Sequence, residues 1–326
     1  MTVSSLRESF EQNQVSIYFG AVIVAAAAAM LAPTLGALES AISPTLAVML
    51  FATFLQVPLA DLGKAFREFR FMSALLVANF IAIPVAVALL VQLLPPDPLL
   101  RLGVLIVLLT PCIDYVVTFS HLGRADARAL LAATPLLLGV QMLLLPVYLG
   151  FLLGEAGRGL IQIEPFVHAF IWLIAVPLLL AGVVQVWARK RSTGARVGDA
   201  LGLLPVPATA VVLFVVVCSV VPQLEAARAS AIQAVPIYVA FAALAPFVGL
   251  AVGRLFRLPA AGLRAVAFSA ATRNSLVVLP LGLAVPGAVP VLPAIIVTQT
   301  LVELLSELVY VRFMPKVGKE LERQRV

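Results

Sequence analysis

The chain has 326 residues, of which 62% are hydrophobic and 12% are charged, and its mean hydropathy is +1.10. Soluble domains carry about 25% charged residues, so this composition excludes a soluble globular protein and indicates a polytopic membrane protein. The net charge of +6 does not indicate nucleic-acid binding, because the basic residues lie in short loops between apolar runs rather than on one folded face.

Apolar runs of about 20 residues, the length that crosses a bilayer as a helix, recur along the whole chain. They predict an all-α membrane protein with ten transmembrane helices and no separate soluble domain. The predicted spans are 16–35, 45–61, 71–94, 99–122, 127–153, 165–188, 199–221, 230–253, 262–285 and 291–313. We therefore expect one transmembrane domain over residues 1–326, with a short charged surface helix at 1–14 and a cytoplasmic tail at 314–326.

The distribution of basic residues between the loops predicts how these spans are oriented. Ten spans place eighteen of the 22 Lys and Arg residues on one side of the membrane and three, Arg101, Arg158 and Arg228, on the other. The remaining one, Arg273, falls inside the ninth span. Because cytoplasmic loops carry an excess of Lys and Arg, both termini are expected in the cytoplasm, and the expected location is the cell membrane, inner or plasma.

Ten spans divide into two sets of five, and because five is odd, the second set starts on the opposite side of the membrane from the first. This arithmetic predicts two inverted five-helix repeats. The repeats are expected at about 16–153 and 165–313. A trace of the repeat remains in the sequence, since Arg101 lies nine residues before Thr110 and Arg264 lies eight before Thr272.

The fourth and ninth predicted spans are interrupted by polar residues, which hydrocarbon does not tolerate facing lipid. The two clusters are Thr110-Pro111-Cys112-Ile113-Asp114 and Thr272-Arg273-Asn274-Ser275. Helices broken at membrane depth form substrate and ion sites in transporters. We therefore expect discontinuous fourth and ninth helices that cross near the middle of the bilayer. The predicted substrate-binding residues are Pro111, Cys112, Asp114, Arg273, Asn274 and Ser275.

Asp114 and Arg273 are the charged residues of these two clusters. An unpaired charge at the bilayer centre costs roughly 2.5 kcal/mol or more, so the two side chains are expected to lie close together. They form either a permanent structural salt bridge or a working pair that opens when substrate or a proton arrives.

Cys112 is either a small apolar residue beside a helix break or a transient ligand for a soft ion such as As(III). Stable As(III) binding generally uses more than one sulfur, and the only other Cys is Cys218 in the seventh span. No zinc spacing, phosphate-binding Gly loop or nucleophile motif occurs. The sequence therefore predicts neither an enzyme nor an ATP-driven pump, and no cofactor.

Glu303 and Glu307 lie four residues apart on one face of the predicted tenth span. Together with Asp114 they are candidates for proton or ion coupling. The alternative is that they reach toward the cytoplasmic surface or pair with Arg312. Other polar residues expected to hydrogen-bond between helices are Asn79, Gln141 and Gln185.

Three stretches of the sequence resemble the arsenical-resistance permeases of the bile acid:sodium symporter superfamily. Residues 110–128, TPCIDYVVTFSHLGRADAR, are similar to the fourth span of these permeases, with Pro-Cys at a helix break. Thr272-Arg273-Asn274 is similar to their ninth-span Ser/Arg-Asn motif, and the residues from Thr300 to Glu303 resemble their tenth-span Leu-x-Glu signature. The length, the number of spans and the expected cytoplasmic location of both termini also agree, so the resemblance covers nearly the whole chain.

The resemblance implies a core domain that contains the crossed fourth and ninth helices, beside a panel domain of spans 1, 2, 6 and 7. It also implies that Cys112 is required for As(III) export in exchange for protons. The chain departs from the pattern after Asn274, where these permeases carry a Glu and this chain has Leu276, Val277 and Val278. The sodium-coupled branch builds its ion sites from clustered Ser, Asn, Gln and Glu, and this chain has few of them.

The expected function is secondary active transport by alternating access, with export of arsenite or antimonite in exchange for H⁺. The alternative is an ion-coupled carrier of small organic anions in which Arg273 binds the carboxylate. A third hypothesis is a channel-like or receptor protein with a degraded transport site. The expected partners are a small anion or neutral metalloid, H⁺ or Na⁺ as the coupling ion, and the lipid bilayer, with no nucleic acid.

Overall fold

A computed structural model describes residues 3–57, 68–154, 164, 167–168, 170–223 and 225–317 of the chain. This part of the chain is helical, and its one β feature is an isolated bridge between Pro111 and Arg273. The helices, in chain order, are α1 (Val3–Leu31), α2 (Ile42–Gln56), α3 (Phe69–Val91), α4 (Pro98–Leu108), α5 (Tyr115–Leu122), α6 (Ala127–Leu153), α7 (Phe170–Lys190), α8 (Ser192–Leu201), α9 (Pro205–Val220), α10 (Arg228–Leu255), α11 (Ala260–Ala271), α12 (Ser275–Leu283) and α13 (Val291–Phe313).

Seven helices of the described chain are long and apolar enough to cross a membrane. They are α1, α2 with the 3-10 segment before it, α3, α6, α7, α10 and α13. Helices α8 and α9 form a pair bent by 41° that gives an eighth span if the two are taken together. Helices α4 and α11 are apolar but have only 11 and 12 residues, which is too short to cross a core of about 30 Å. The protein is therefore an all-α, multi-pass membrane protein.

The bounds of α6 and α13 are those of the predicted spans 127–153 and 291–313. The start of α6 is fixed by Asp126, whose Oδ1 accepts a hydrogen bond of 3.0 Å from the Ala129 backbone N–H. A side-chain acceptor at this position satisfies one of the free N–H groups in the first turn of a helix.

The N-terminal region differs from the prediction of a separate surface helix at 1–14. Helix α1 continues without interruption from Val3 to Leu31. Arg7 Nε donates to Glu11 Oε1 over 2.8 Å, and such a pair four residues apart supports a helix. The charged segment is therefore a helical extension of the first apolar span.

Some of the expectations lie outside the described residues. These include the loops 58–67 and 155–163 and the C-terminal residues 318–326. Six of the basic residues used to predict the orientation fall in these segments, namely Lys64, Arg67, Arg158, Lys319, Arg323 and Arg325.

The chain forms two compact units, and each of them draws on both halves of the sequence. The first unit comprises Met1–Leu59 and Glu164–Arg228, and so contains the residues of predicted spans 1, 2, 6 and 7. Within it α1 packs against α9, and α2 packs against α7 and α9. Cys218 of α9 belongs to this packing, because its Sγ lies 3.5 Å from the Ala25 carbonyl oxygen of α1.

The second unit comprises Ala60–Ile163 and Ala229–Val326. Within it α13 packs against α4 and α12, and α6 packs against α4, α5 and α11. Helix α10 carries Gly249 facing α11, where an added Cβ would come within 2.6 Å of the Ala267 Cα. A residue without a side chain is therefore needed for these backbones to approach so closely.

Two tyrosines of the second unit satisfy carbonyl groups that prolines leave without a donor. Proline has no N–H, so the carbonyl four residues earlier in a helix loses its partner. Pro84 affects Phe80, whose oxygen accepts a hydrogen bond of 2.6 Å from Tyr148 Oη. Pro246 affects the carbonyl of residue 242 in the same way, and that oxygen accepts a bond of 2.5 Å from Tyr310 Oη. Such replacements are needed where water is absent.

Candidate functional site

Two non-helical segments, each lying between two short helices, are in contact in the second unit. The first separates α4, which ends at Leu108, from α5, which begins at Tyr115. The second separates α11, which ends at Ala271, from α12, which begins at Ser275. Each segment follows the C-terminal end of one short helix and precedes the N-terminal end of the next. We call these two segments the first and second breaks.

The backbones of the two breaks hydrogen-bond to each other. The Cys112 N–H donates to the Thr272 carbonyl over 3.0 Å, and the Asn274 N–H donates to the Thr110 carbonyl over 2.8 Å. The two bonds are equivalent. When residues 110–112 are aligned with residues 272–274, each bond occupies the position of the other. The extended residues therefore satisfy part of each other's backbone, as buried polar groups require.

A threonine lies at or near the start of each break, just after the helix that precedes it. Thr110 Oγ1 lies 3.0 Å from the Ile106 carbonyl oxygen and 2.9 Å from that of Val107. Thr272 Oγ1 lies 2.7 Å from the Phe268 carbonyl oxygen. These contacts supply donors to carbonyls near a helix end, where intrahelical donors run out.

Arg273 is fully buried. Its two Nη atoms donate to four oxygen atoms, three of them near helix ends, while its Nε has no partner among the described residues. Nη2 donates to the carbonyl oxygens of Ser269 and Ala270, over 2.5 and 2.7 Å, near the end of α11. Nη1 donates to the carbonyl of Leu108, the last residue of α4, over 3.3 Å. The fourth oxygen is Asn79 Oδ1 on α3, which accepts from Nη2 over 2.9 Å.

The predicted ion pair between Asp114 and Arg273 is not formed in this structure. Neither oxygen of the Asp114 carboxyl has a hydrogen-bonding partner in the described part of the chain. The reason is that the last carbonyls of a helix lack intrahelical donors and attract a cation. Arg273 therefore turns back to the ends of α4 and α11 instead of reaching across to a carboxylate.

Asp114 is the residue that immediately precedes α5. The residue is buried, with 8% of its surface exposed, and its side chain does not cap the helix that follows. Burying an ionised carboxylate without a partner is costly. Asp114 is therefore a place where a proton or a bound cation would lower the free energy of the site.

Asn274 and Ser275 lie at the start of α12. Asn274 Oδ1 accepts from the Val277 N–H over 3.4 Å as an N-cap, while its Nδ2 has no partner among the described residues. Ser275 Oγ lies 2.7 Å from Thr300 Oγ1 of α13. Asn274 thus leaves a buried donor beside the positive end of a helix.

Glu303 of α13 connects both breaks. Its Oε1 accepts from Tyr115 Oη over 2.5 Å, at the start of α5. Its Oε2 accepts from the Arg273 backbone N–H over 2.6 Å and from Gln299 Nε2 over 2.5 Å. Three donors converge on this carboxyl group, which is the arrangement that stabilises an ionised carboxylate.

Glu307 is fully buried one turn further along α13. Its Oε1 lies 2.5 Å from Thr272 Oγ1, and its Oε2 has no partner in the described chain. Neither glutamate pairs with Arg312 or reaches the surface, which were the alternatives open from the sequence. Packing of α13 against α4 and α12 turns both side chains into the interior.

Pro111 and Cys112 form the extended part of the first break. Pro111 is the bridge partner of Arg273, and the Cys112 thiol is buried. The other cysteine, Cys218, belongs to the first unit. The described residues contain no group of three or more His, Cys, Asp or Glu side chains that could hold a metal ion.

A small cavity lies next to Glu303, between α10 and α13. Polar and aromatic side chains line it, among them Gln299, Phe241 and Tyr310. Its space is about that of one water molecule. Gln299 Oε1, which has no partner in the described chain, gives such a water an acceptor.

The polar residues expected to bond between helices have different outcomes. Asn79 Nδ2 donates to Ser269 Oγ over 2.9 Å, and Gln185 Nε2 donates to carbonyls at the end of α2, including that of Val57 over 2.8 Å. Gln141 is buried, and the described residues offer its amide no partner.

Sequence reasoning did not identify Tyr115, Gln299 and the role of Thr272 beside Glu307. Tyr115 directly follows Asp114, and Gln299 lies four residues before Glu303, on the same helix face. The short sequence distance to an acidic residue was therefore the feature that could have identified Tyr115 and Gln299.

Buried ionisable residues in non-helical segments of a multi-pass membrane protein are typical of secondary transporters, the class of protein that this fold and site indicate. The sodium bile acid symporter family matches residues 43–227, more than half of the chain, and the chain belongs to this family. Its members are membrane transporters rather than enzymes. The matched residues include the first break but not the second. No curated protein matches the chain.

Proposed function

We propose that the chain is a secondary active transporter that carries small organic anions by alternating access, coupled to protons. The observation that carries this proposal is the excess of buried carboxyl groups around the two breaks. Among the described residues, Asp114, Glu303 and Glu307 lie there with one guanidinium, that of Arg273. An anion can enter such a site only when protons have removed part of its negative charge, so the anion and the protons move together.

The partial charges at the ends of the short helices also leave an excess of buried carboxyl groups at the site. A helix carries about +0.5 of an elementary charge at its N-terminus and about −0.5 at its C-terminus. The C-terminal ends of α4 and α11 together offset the charge of Arg273. The N-terminal ends of α5 and α12 together balance about one carboxylate. Two of the three carboxyl groups are therefore left to be neutralised by a coupling ion.

The contacts of Glu307 favour a proton as that ion. The Thr272 hydroxyl has one hydrogen, and its oxygen lies 2.7 Å from the Phe268 carbonyl oxygen and 2.5 Å from Glu307 Oε1. A carbonyl oxygen only accepts, so the one hydroxyl hydrogen is shared between the two contacts when Glu307 is ionised. A protonated Glu307 carboxyl would instead donate to Thr272 Oγ1, and each contact would then have its own hydrogen. Glu303, with its three donors, is arranged for the ionised form. Two carboxyl groups in such different surroundings are suited to acid and base roles.

The second break offers the donors for an anionic substrate. Asn274 Nδ2 is buried without a partner in the described chain, and it lies at the positive end of α12. A helix N-terminus of this kind attracts carboxylates. Ser275, and Pro111 and Cys112 across the breaks, complete the proposed substrate-binding residues. Arg273 contributes its positive field and its Nε–H, which has no partner among the described residues, whereas its Nη atoms already donate to four oxygens.

We further propose ten spans arranged as two inverted five-helix repeats. In this interpretation α4 with α5, and α11 with α12, are each one discontinuous span, and α8 with α9 is another. The reciprocal hydrogen bonds between the breaks, which interchange when Thr110 is aligned with Thr272, support this symmetry. The excess of Lys and Arg supports cytoplasmic termini and a location in the cell membrane. Labelling of single cysteines in intact cells, at Arg101→Cys and Arg124→Cys, tests the topology, since only the former is expected to react from outside.

A second candidate substrate is arsenite, exchanged for protons. The observation that favours it is the buried thiol of Cys112 within the first break. A single thiol gives a contact weak enough for release, although soft metalloids bind better to several sulfur atoms.

The test is uptake by the purified protein in liposomes with an imposed pH gradient. A labelled bile acid, short-chain carboxylates and arsenite are compared, each with and without a sodium gradient at fixed pH. We expect the proton gradient to raise uptake of at least one carboxylate several-fold. Proton-driven accumulation of arsenite that is lost in Cys112→Ser would instead support the metalloid, and flux that ignores every gradient would support a channel.

Asp114→Asn tests the coupling directly. The amide does not titrate, and the carboxyl makes no hydrogen bond to lose in the described chain. We expect uptake by this variant to lose part of its dependence on pH while the protein stays folded. Asp126→Asn is the matched control, because asparagine also caps a helix. An unchanged pH profile in Asp114→Asn would exclude Asp114 from coupling.

A further inference from the structure

The surroundings of Arg273 are unusual for a buried cation. Buried charges in proteins are generally paired with an opposite charge. The Arg273 guanidinium donates instead to three backbone carbonyls and one amide oxygen. The only salt bridge among the described residues joins Arg7 and Glu11. Arg273 is therefore held by dipoles rather than by a carboxylate.

The four oxygens come from three separate helices. Leu108 provides the last carbonyl of α4, Ser269 and Ala270 provide carbonyls near the end of α11, and Asn79 provides its side-chain oxygen from α3. Asn79 is fixed in this orientation because its Nδ2 donates to Leu75 O and Ser269 Oγ, over 3.0 and 2.9 Å. The oxygen cage, as we call these four atoms, is thus built independently of the arginine.

The charge of the cage matches one cation. The C-terminal ends of α4 and α11 each contribute about −0.5 of an elementary charge, and their sum is about −1. Backbone carbonyls at the ends of interrupted helices are also the groups that bind monovalent cations in transporters. The Phe241 ring adds a negative face, 5.5 Å from the Arg273 guanidinium carbon.

We propose that the Arg273 guanidinium is a tethered cation that permanently fills the oxygen cage, so that the protein needs no metal ion there, and that its removal opens the cage to sodium. This inference deepens the proposed function, on whose coupling scheme it rests, because it explains how a chain of a family named for sodium uses protons. Hard oxygen ligands of this kind suit a small cation such as Na⁺.

The test is the thermal stability of the purified protein in sodium, potassium and choline salts at one ionic strength and pH. Wild type is expected to melt at the same temperature in all three. Arg273→Ala keeps the backbone N–H that bonds Glu303 and empties the cage. Its melting temperature is expected to fall in choline and to recover by several degrees in sodium, because a ligand that binds only the folded state stabilises it. Millimolar guanidinium chloride is expected to restore it as well.

Arg264→Ala is the matched control. Arg264 is also buried, and it donates to the Arg124 and Val317 carbonyls over 2.9 Å each, away from the breaks. Its loss is expected to lower stability equally in every salt. A sodium response of the same size in Arg264→Ala would overturn the inference, since the response would not be specific to the cage.

Three other results would also overturn it. The first is sodium-specific stabilisation of the wild type. The second is a folded Arg273→Ala whose melting temperature changes with neither sodium nor guanidinium. The third is an Arg273→Ala protein that cannot be purified in a folded form in the presence of any of these cations. Arg273→Lys keeps a tethered charge, and it is expected to stay folded and indifferent to sodium. Because these readouts do not involve transport, a failure of proton-coupled uptake would refute the proposed function and leave the cage result intact.

Discussion

Replacing Thr272 by valine tests whether its hydroxyl holds the proton of Glu307. Valine has nearly the shape of threonine, so the substitution removes the hydroxyl with little change in packing. The hydroxyl contacts the Phe268 carbonyl oxygen and Glu307 Oε1. The Phe268 carbonyl still accepts the backbone N–H of residue 272 over 2.9 Å, whereas the Glu307 carboxyl keeps no partner among the described residues.

The expected loss of stability follows from these two contacts. A buried hydrogen bond contributes about 1 kcal/mol, and leaving a buried polar group without a partner costs a further 1–3 kcal/mol, roughly. Thr272→Val should therefore lower the free energy of unfolding by about 2–4 kcal/mol. In a Glu307→Leu background no carboxyl remains to be left unpaired, and the same substitution should cost only about 0.5–1.5 kcal/mol.

The measurement is a double-mutant cycle, with the free energy of unfolding obtained by SDS titration of the four proteins in mild detergent. We expect a coupling energy of about 1–3 kcal/mol between positions 272 and 307. Thr272→Ser, which keeps the hydroxyl, is the control and should show most of the wild-type stability. Effects that add to within about 0.5 kcal/mol would refute the reasoning, because Thr272 would then act without Glu307.

Two further substitutions test the packing and charge of the site. Tyr115→Phe removes a donor to the Glu303 carboxylate, and the loss of a hydrogen bond to a charged group should cost about 1.5–3 kcal/mol. Tyr238→Phe removes a buried hydroxyl that donates to a neutral carbonyl and should cost about 0.5–1.5 kcal/mol, so equal losses in SDS unfolding would contradict an ionised Glu303. Gly249→Ala forces a Cβ to within 2.6 Å of backbone on α11 and should lower the melting temperature, at a cost of about 1–3 kcal/mol. Gly139→Ala, with no heavy atom within 4 Å of the new Cβ, should not lower it, and a similar loss at both positions would argue against close packing at Gly249.

Long apolar segments were predictable from the sequence because hydropathy and helix caps act locally. The bounds of α6 follow from Asp126, a capping residue directly before an apolar run. The first span was harder to delimit, since the charged turn that contains Arg7 and Glu11 has the composition of a surface helix. The Arg7–Glu11 pair supports the continuation of α1 through this turn, and no Pro or Gly interrupts the segment from Val3 to Gln14.

Partners within the site were less predictable than its residues. The sequence displays the charge of Arg273 and that of Asp114, so an ion pair was the simplest expectation. Backbone carbonyl groups are present at every residue, so the sequence does not show which of them will bind a side chain. In the structure, carbonyls near a helix end accept hydrogen bonds from the guanidinium. Likewise, nothing local to α13 indicates that Glu303 turns inward to meet Tyr115, because the packing of distant helices decides it.

The interleaving of the two units has a consequence for how the protein is made. The first unit needs both Met1–Leu59 and Glu164–Arg228, and residues 60–163, which belong to the other unit, are synthesised between them. At about 5–20 residues per second, the ribosome takes roughly 5–20 s to produce that intervening stretch. During this delay α1 and α2 must remain in the bilayer as independently inserted helices, without the neighbours α7 and α9 that they later contact. The high apolar content of α1 and α2 allows them to stay inserted during this delay, before α7 and α9 are available for packing.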